Sequence, residues 1–269
     1  YPDVYRACRS CRPEGAGENL CEDVRFLSSN APGLSRTLFV HLGSCLFPIS
    51  LGVPEEIAVL TEPLTVVNRA LKQVRVNFDD RVAVLGGGFM GYITATMLSK
   101  IVGIRKSDLL VTDIFDSKLE KLRSFATTVN VKETPLEKEF VSMYDVAFEC
   151  AGGKASEMTI DQALSVLSPG GRCMLIGVSE DKIPVGTRTV LEKGLTLKGT
   201  TRSAATDFRE VLEWLKKEDF RKALQQAVYP YMFPATNCES LLAACKVAEN
   251  RETHGKVLID WRKEVASKG

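Results

Sequence analysis

Residues 81–92, with the sequence RVAVLGGGFMGY, constrain the fold of this chain more than any other segment. A short apolar run leads into a turn with Gly86 and Gly88. The apolar stretch that follows begins with Phe89 and Met90 and contains the third glycine, Gly91. In this spacing the first glycine allows a tight turn after a strand, and the second lets the backbone approach a diphosphate. The third lets the next helix pack closely, and its N-terminus faces the phosphates. The segment predicts a dinucleotide site that includes all five residues; a glycine turn between two buried elements is the alternative.

Apolar runs alternate with helical patterns beyond this segment. DLLVTDI, YDVAFECAGG, RCMLIGV and LTLKGT are predicted strands, and DSKLEKLRSF and SEMTIDQALSVL are predicted helices, with a turn at SPGG. Nearly all-apolar strands that alternate with helices indicate a parallel sheet covered on both faces. The chain is therefore assigned to the α/β class, with a Rossmann-type doubly wound sheet.

The flanking segments have other patterns. Residues 35–48 hold short predicted strands, and residues 53–74 have helical spacing that Pro63 should interrupt or bend. The tail predicts helices at about 206–216, 219–227 and 238–249 and a last strand, GKVLIDW.

Asp113 ends the predicted strand that follows the glycine motif, 22 residues beyond Gly91. A carboxylate at that point accepts hydrogen bonds from the ribose hydroxyls of NAD and repels the 2′-phosphate of NADP. Asp113 therefore favours NAD, with NADP as the second choice. Lys118 either contacts the same ribose or lies on a solvated helix face.

Composition excludes several classes of protein. The 269 residues carry 35 Lys and Arg against 34 Asp and Glu, which argues against a nucleic-acid-binding face. No apolar run approaches the roughly 18 residues of a membrane span. Of the eight cysteines, five are scattered in apolar stretches, where reduced core thiols are expected, and a cytoplasmic location follows.

Several segments together resemble the zinc-dependent medium-chain alcohol and polyol dehydrogenases. They occur in the order seen in that family, and they are ENLCEDVRFLS, LTEPLTVVNRAL, the glycine motif, DVAFECAGG, GGRCMLIGV, LTLKGT and HGKVLID. The stretch from FECAGGKASEMTIDQAL to GLTLKGTTRS resembles more narrowly the ribitol-5-phosphate dehydrogenases, which reduce ribulose 5-phosphate. Those enzymes favour NADPH, and Asp113 departs from that preference.

The resemblance implies a β-rich GroES-like catalytic domain, present in part, beside the Rossmann domain. The implied division is 1–62 for the partial catalytic domain with a Cys-rich lobe, 63–202 for the dinucleotide-binding domain, and 203–269 for the return to the catalytic domain. It also implies hydride transfer between a nicotinamide cofactor and a small-molecule substrate, assisted by zinc. A homodimer or homotetramer is expected, with no nucleic-acid or membrane partner.

The resemblance assigns a catalytic zinc ligand to Glu62, in the "EP" motif; a helix carboxylate beside Pro63 is the alternative. The family takes its other ligands, a Cys and a His-Glu pair, from a front part for which this sequence shows no counterpart. Tyr1 is not an initiator Met, so we expect a fragment or a chain that lacks the family's front part.

Cys8, Cys11 and Cys21 match three positions of the family's structural zinc site. Four thiolates close a tetrahedral zinc shell, and Tyr5 occupies the position of the first. Either these three thiols bind a structural zinc with a fourth donor, or the lobe is degenerate and the thiols are free.

The resemblance also suggests contacts on the substrate and nicotinamide side. Lys256 matches a basic residue near the cofactor diphosphate, and Gly152 and Val178 match turn positions near the nicotinamide, although both could serve packing alone. Arg188 and Arg202 are candidates for binding a substrate phosphate, because a guanidinium group can donate two parallel hydrogen bonds to phosphate oxygens. Solvated or structural ion pairs are the alternative for both residues.

Three functions remain open at this point. The first is a dehydrogenase of a polyol or polyol phosphate, with ribitol 5-phosphate and ribulose 5-phosphate preferred. The second is an NAD dehydrogenase of sorbitol, xylitol or threonine type. The third is a nucleotide-binding protein without catalysis.

Overall fold

A six-stranded parallel sheet organises the part of the chain that the computed structural model describes, which is Leu20 and residues 46–262. The strand order is β3-β2-β1-β4-β5-β6, and each strand runs parallel to its neighbours. The strands are β1 (Val82–Leu85), β2 (Leu109–Asp113), β3 (Thr127–Asn130), β4 (Tyr144–Glu149), β5 (Leu167–Leu175) and β6 (Thr196–Gly199). The order reverses between β1 and β4, and ligands bind outside the carboxyl ends of strands at such a point.

Helices cover both faces of this sheet. They are α1 (Glu55–Ala58), α2 (Thr61–Val74), α3 (Phe89–Met97), α4 (Asp116–Glu120), α5 (Leu136–Glu139), α6 (Ala155–Val166), α7 (Thr187–Lys193), α8 (Ala205–Trp214) and α9 (Glu218–Leu224). A π-helical turn, Leu98–Val102, extends α3; 3-10 turns are formed by Lys106–Asp108 and Gln225–Ala227. This arrangement confirms the predicted α/β class and the Rossmann-type sheet.

Alternation along the buried strands divides the core into two layers. In β1, Val82 and Val84 pack with α2 and α3 on one face. Ala83 and Leu85 pack with α6 on the other face. Successive side chains of a strand point to opposite faces, so an all-apolar strand feeds both layers.

The end of the described chain forms a small second sheet. β7 (Val228–Pro234) and β8 (Lys256–Asp260) pair in parallel, and α10 (Cys238–Glu249) connects them and packs on both. Within the described residues, none of the helices is long and apolar enough to cross a membrane.

Several local predictions were corrected by the structure. Pro63 does not bend a long helix; it lies in the first turn of α2, where its missing N–H costs nothing, and α1 precedes as a separate helix. SPGG is a bulge inside β5, because Tyr144 pairs with Leu167 and Val146 with Arg172. The helix predicted for DSKLEKLRSF ends at Glu120.

Other segments were missed or fall partly outside the description. β3, α5, α7 and β7 were not predicted. Residues 46–48 form no strand, and residues 35–45 lie outside the described part.

The cysteines also divide differently from the expectation. Cys150 and Cys173 are buried free thiols, as predicted, and burial raises the pKa of both. Cys238 and Cys245 are exposed free thiols on α10, so the prediction of core positions is wrong for these two. Cys45 lies outside the described residues.

Candidate dinucleotide site

The turn after β1 and the start of α3 leave no room for a side chain at two glycines, Gly86 and Gly91. Gly86 has φ of +103°, and its N–H donates to the carbonyl of Thr112 on the neighbouring strand at 2.9 Å. A Cβ at Gly91 would overlap the carbonyl oxygen of Gly86. Both positions therefore require glycine, for the backbone angle at one and the close approach at the other.

The N-terminus of α3 opens onto free space beside this turn. Gly88 is the N-cap, and a Cβ there would meet nothing within 4 Å. The first turn of a helix leaves amide donors without intrahelical partners, and these favour an anion. Phe89 and Met90 begin the helix and are partly buried. The start of α3 therefore forms an open cradle that favours an anion such as a diphosphate.

Asp113 closes β2 directly beside the glycine turn. Its Oδ2 accepts from the N–H of Gly87 at 2.8 Å, and its Oδ1 accepts from Ile114 at 2.7 Å and Phe115 at 3.0 Å. A carboxylate offers about four acceptor positions, so roughly one remains for a ribose hydroxyl. Asp113 thus fixes the turn as well as offering an acceptor.

Lys118 is not on a solvated helix face, because only 9% of the residue is exposed. Its Nζ lies 3.9 Å from Asp113 Oδ2 and 4.9 Å from the centroid of the Phe115 ring. The ammonium group of Lys118 therefore lies beside the carboxylate that ends β2.

The turn after β4 is organised by a buried carboxylate. Glu149 is 1% exposed, and its Oε1 accepts from the N–H groups of Ala151 at 2.9 Å and Gly152 at 3.1 Å. Gly152 has φ of +70°, and the N–H of Gly153 donates to the carbonyl of Val178 at 2.8 Å. The turns after β4 and β5 are thus joined, while the Val178 side chain is 77% exposed at this edge.

The strand β8 brings Lys256 to the start of α3. Its Nζ lies 5.4 Å from the centroid of the Phe89 ring. The preceding Gly255 has φ of +97°, and a Cβ there would lie 2.7 Å from the amide nitrogen of Tyr229. A positive charge is therefore held beside the cradle that fits a diphosphate.

His254 anchors the same segment from within the core. Its Nε2 lies 2.9 Å from the carbonyl oxygen of Gln226, so Nε2 carries the proton, and its ring packs edge-on against Tyr92. Burial, together with the nearby charges of Lys121 and Lys118, lowers the pKa of His254 to about 4. The imidazole is therefore neutral near pH 7 and packs as part of the core.

Glu62 lies in the first turn of α2 and is partly buried. The Thr65 hydroxyl donates to the Glu62 carbonyl at 2.6 Å and lies 2.7 Å from the Ser203 hydroxyl. Within Leu20 and residues 46–262, no three His, Cys, Asp or Glu side chains come together as a metal site. The described residues therefore do not fit a complete zinc centre, and Glu62 remains a single predicted ligand. Cys8, Cys11 and Cys21 lie outside these residues.

The two candidate arginines differ in their surroundings. The Arg188 side chain is 89% exposed on α7 and pairs with Glu192 one turn on, at 2.7 Å. This is the solvated ion pair that was the alternative for this residue. Arg202 follows the carboxyl end of β6, is partly buried, and has φ of +57°. Arg202 is next to Ser203, whose hydroxyl meets Thr65 on the helix of Glu62.

Sequence reasoning missed two members of this edge. The main-chain amide of Gly87 binds Asp113, and Glu149 holds the turn after β4. Glu149 gives one signal in the sequence: it is the only acidic residue in the apolar stretch VAFECA. An acidic residue inside a buried strand needs several donors.

Taken together, the strand order, the glycine turn and the edge residues define a Rossmann-type dinucleotide-binding domain. Comparison with known proteins adds a family for part of the chain. Residues 93–217 match the family described as zinc-binding dehydrogenase. This match covers the strands from β2 to β6 and the helices between them.

Individual relatives are more specific. The chain is 32% identical over 199 residues to ribulose-5-phosphate reductase 1 of Staphylococcus aureus, covering 73% of this chain and 57% of that protein. It is 28% identical over 270 residues to the L-threonine 3-dehydrogenase of Proteus mirabilis, covering 95% of this chain and 72% of that one. The crystal structure of Staphylococcus aureus TarJ in complex with NADPH superposes with a TM-score of 0.73 and 29% identity, covering 82% of this chain and 68% of that chain. The chain spans 57% and 58% of the length of two ribulose-5-phosphate reductases that it matches.

Proposed function

We propose that the protein is an NAD(P)-dependent oxidoreductase that interconverts a polyol phosphate and its ketose, with ribitol 5-phosphate and ribulose 5-phosphate as the preferred pair. The observation that carries the proposal is the joined set of turns at the carboxyl edge, where Gly91 admits no side chain against Gly86. The similarity to a ribulose-5-phosphate reductase supports the choice of substrate.

The residues of this edge divide the work of binding. The amides at the start of α3, between Gly88 and Gly91, hold the diphosphate, and Lys256 offsets its charge. Asp113 and Lys118 hold the adenosine ribose. When bound, the nicotinamide supplies or accepts the hydride.

The nicotinamide half is positioned by the turns after β4 and β5. The N–H of Gly153 donates to the Val178 carbonyl, which keeps the backbone of Gly152 and Val178 at the edge of the cleft. A ring held at this edge presents one face to the substrate, and positioning of that kind lowers the barrier to transfer.

Glu62 is proposed as one zinc ligand. Since the described residues do not complete a zinc centre, no proton or hydride step is assigned to the metal. On the substrate side, Arg202 is the better placed of the two candidates for the phosphate, because it follows the carboxyl end of β6. A cytoplasmic location and a dimer or tetramer remain predictions of the sequence.

The function is tested by following reduced-nicotinamide absorbance with ribulose 5-phosphate, unphosphorylated ribulose and xylulose as oxidants. We expect turnover with ribulose 5-phosphate and at least about tenfold lower kcat/KM without the phosphate, since a charge-assisted phosphate contact contributes on the order of 1.5–3 kcal/mol. Cofactor binding without turnover of any substrate would support the non-catalytic nucleotide-binding protein instead.

The second candidate is a threonine-type NAD dehydrogenase, which the match over 95% of this chain favours. L-Threonine, sorbitol and xylitol with NAD form the second arm of the same assay. Oxidation of L-threonine in preference to ribitol 5-phosphate would overturn the first proposal.

A further inference from the structure

A buried carboxylate lies at the point where the strand order of the sheet reverses. Glu149 ends β4, the neighbour of β1, and is 1% exposed. A buried charge is costly unless it is hydrogen-bonded, so this carboxylate needs donors from the groups that surround it. None of the binding roles given above uses it.

One carboxylate oxygen gathers donors from both the turn and the next helix. The Oε1 of Glu149 accepts from the main chain at Ala151 and Gly152 and from the hydroxyl of Thr159 at 2.8 Å. The Ser156 hydroxyl adds a longer contact of 3.4 Å. The turn and the first two turns of α6 therefore share one acceptor.

The same residue also fixes the turn after β5. Its carbonyl oxygen accepts from the N–H groups of Ile176 at 2.9 Å and Gly177 at 3.0 Å. A Cβ at Gly177 would overlap the Oε2 of Glu149, so the second oxygen packs directly against that turn. The Ser179 hydroxyl lies 3.1 Å from the Ser156 hydroxyl and donates to the Gly153 carbonyl at 2.9 Å, which closes the connection.

The turn of Glu149 also touches the diphosphate turn. A Cβ at Gly86 would lie 3.0 Å from the amide nitrogen of Ala151. The turn after β4 therefore lies between the turn that fits the diphosphate and the turn that carries Val178. On the proposed function, the two halves of the dinucleotide would meet at this point, where the strand order reverses.

We propose that Glu149 is a positioning residue that sets the two turns receiving the nicotinamide half of the cofactor, without touching the cofactor. The inference rests on the proposed function. It separates the edge into an adenosine half, fixed by Asp113, and a nicotinamide half, fixed by Glu149.

The test compares two ligands on the full chain carrying Glu149→Gln. NADH, followed by its fluorescence, reports on the whole site, and ADP, by calorimetry, reports on the adenosine and diphosphate half alone. A carboxamide keeps the volume but replaces one oxygen with a donor that faces the turn of Gly177. We expect the Kd for NADH to rise about tenfold and the Kd for ADP to change by less than about twofold, which is the scale of a buried charge-assisted hydrogen bond.

Two further variants keep the test specific. Thr159→Val removes one donor to Glu149 and should raise the Kd for NADH by about threefold, again without an effect on ADP; this variant carries the test if Glu149→Gln does not fold. Gln162→Leu changes a buried side chain on the same helix that has no part in the network, and it should leave the ratio of the two Kd values unchanged.

The outcomes separate this inference from the proposed function. Equal rises in both Kd values for Glu149→Gln, or no rise in either, would overturn the positioning role while leaving a dinucleotide-binding protein. If the unsubstituted chain binds neither ADP nor NADH, the proposed function fails, and the role of Glu149 fails with it.

Discussion

Two buried carboxylates of this protein are stabilised in opposite ways. Glu149, at the carboxyl edge of the sheet, accepts from main-chain amides and hydroxyl groups. Asp207, on α8, is 0% exposed and meets cations: Arg69 Nη2 at 2.6 Å and Lys72 Nζ at 3.0 Å, both on α2. Asp207 also caps its own helix by accepting from the N–H of Ala204.

The difference teaches what each carboxylate controls. A carboxylate satisfied by main-chain amides fixes the shape of a turn, and Asp113 is of this kind as well as Glu149. A carboxylate satisfied by cations holds two helices together and, in this case, neutralises the largely buried charge of Arg69. We expect changes at the first kind to alter ligand affinity, and changes at the second kind to alter stability.

The largest expected effect is the loss of stability from Asp207→Ala. Removing Asp207 leaves the largely buried Arg69 without its carboxylate partner, whereas Lys72 keeps its ion pair with Glu210, and the change costs about 3 kcal/mol. Urea unfolding measures this loss, and ADP affinity of the folded variant should be unchanged. Lys216→Ala, in an exposed pair with Glu213, is the control and should cost less than about 1 kcal/mol. A loss at Asp207 as small as that of the control would contradict the comparison.

The second effect is a pH dependence from His254, a buried group whose Nε2 donates to a carbonyl. Burial and the charges of Lys121 and Lys118 lower its pKa from the ordinary 6.5 to about 4 in the folded protein. The unfolded chain therefore binds the proton more readily, and stability is full above pH 6.5 and declines as the pH falls towards 4. The decline is at most about 3 kcal/mol.

His254→Gln checks this assignment, since a carboxamide can still donate to the carbonyl of Gln226. Unfolding free energies measured from pH 7.5 to 4.5 should fall less steeply in the variant than in the unsubstituted protein. Identical slopes would remove His254 as the source of the acid sensitivity.

The third effect concerns affinity and cofactor choice at Asp113. Asp113→Gly removes an acceptor for the ribose and a partner of Gly87, so NADH binding should weaken by about tenfold. NADPH binding should improve relative to NADH, because a negative charge near the 2′-phosphate is lost. Glu120→Gln, an exposed change on the adjacent α4, is the control. Unchanged affinities for both cofactors would exclude Asp113 from the site.

The smallest effect is expected from Arg188→Ala. An exposed i,i+4 pair contributes about 0.3–0.5 kcal/mol, and the change should leave the KM for ribulose 5-phosphate as it is. Arg202→Lys is the variant to compare with it, since lysine keeps the positive charge and loses the pair of N–H groups that can bind a phosphate together. If the KM for ribulose 5-phosphate rises in Arg188→Ala and not in Arg202→Lys, the phosphate contact belongs to Arg188 on α7.

Much of the sheet could be predicted from the sequence, because strands buried on both faces are nearly all apolar. β1, β2, β4 and β6 fall within the predicted segments, and α6 begins one residue before its predicted segment. β3 was missed because Thr127–Asn130 is short and polar, and α4 was predicted too long because its apolar residues continue in turns beyond Glu120. The bulge at SPGG was taken for a turn, since local glycine and proline content does not reveal a pairing partner.

The candidate site could also be predicted only in part from the sequence. The glycine spacing and Asp113 were readable, because the chemistry of a diphosphate and a ribose imposes residue types at fixed distances along the chain. Glu149 was passed over, because its importance lies in donors that only the folded turn brings together.

By itself, the sequence determined the alternation of strands and helices, the glycine turn and the acceptor that follows it, because each depends on residues close in the chain. Only the tertiary structure decided that Asp207 meets Arg69 and Lys72, that Lys118 is buried against Asp113, and that Glu149 joins three turns. The partners of Asp207 on α2 lie 135 to 139 residues away, and no local pattern encodes such a pairing. These contacts matter because the groups are buried: a charge removed from water is stable only if the packed helices and turns supply partners for it.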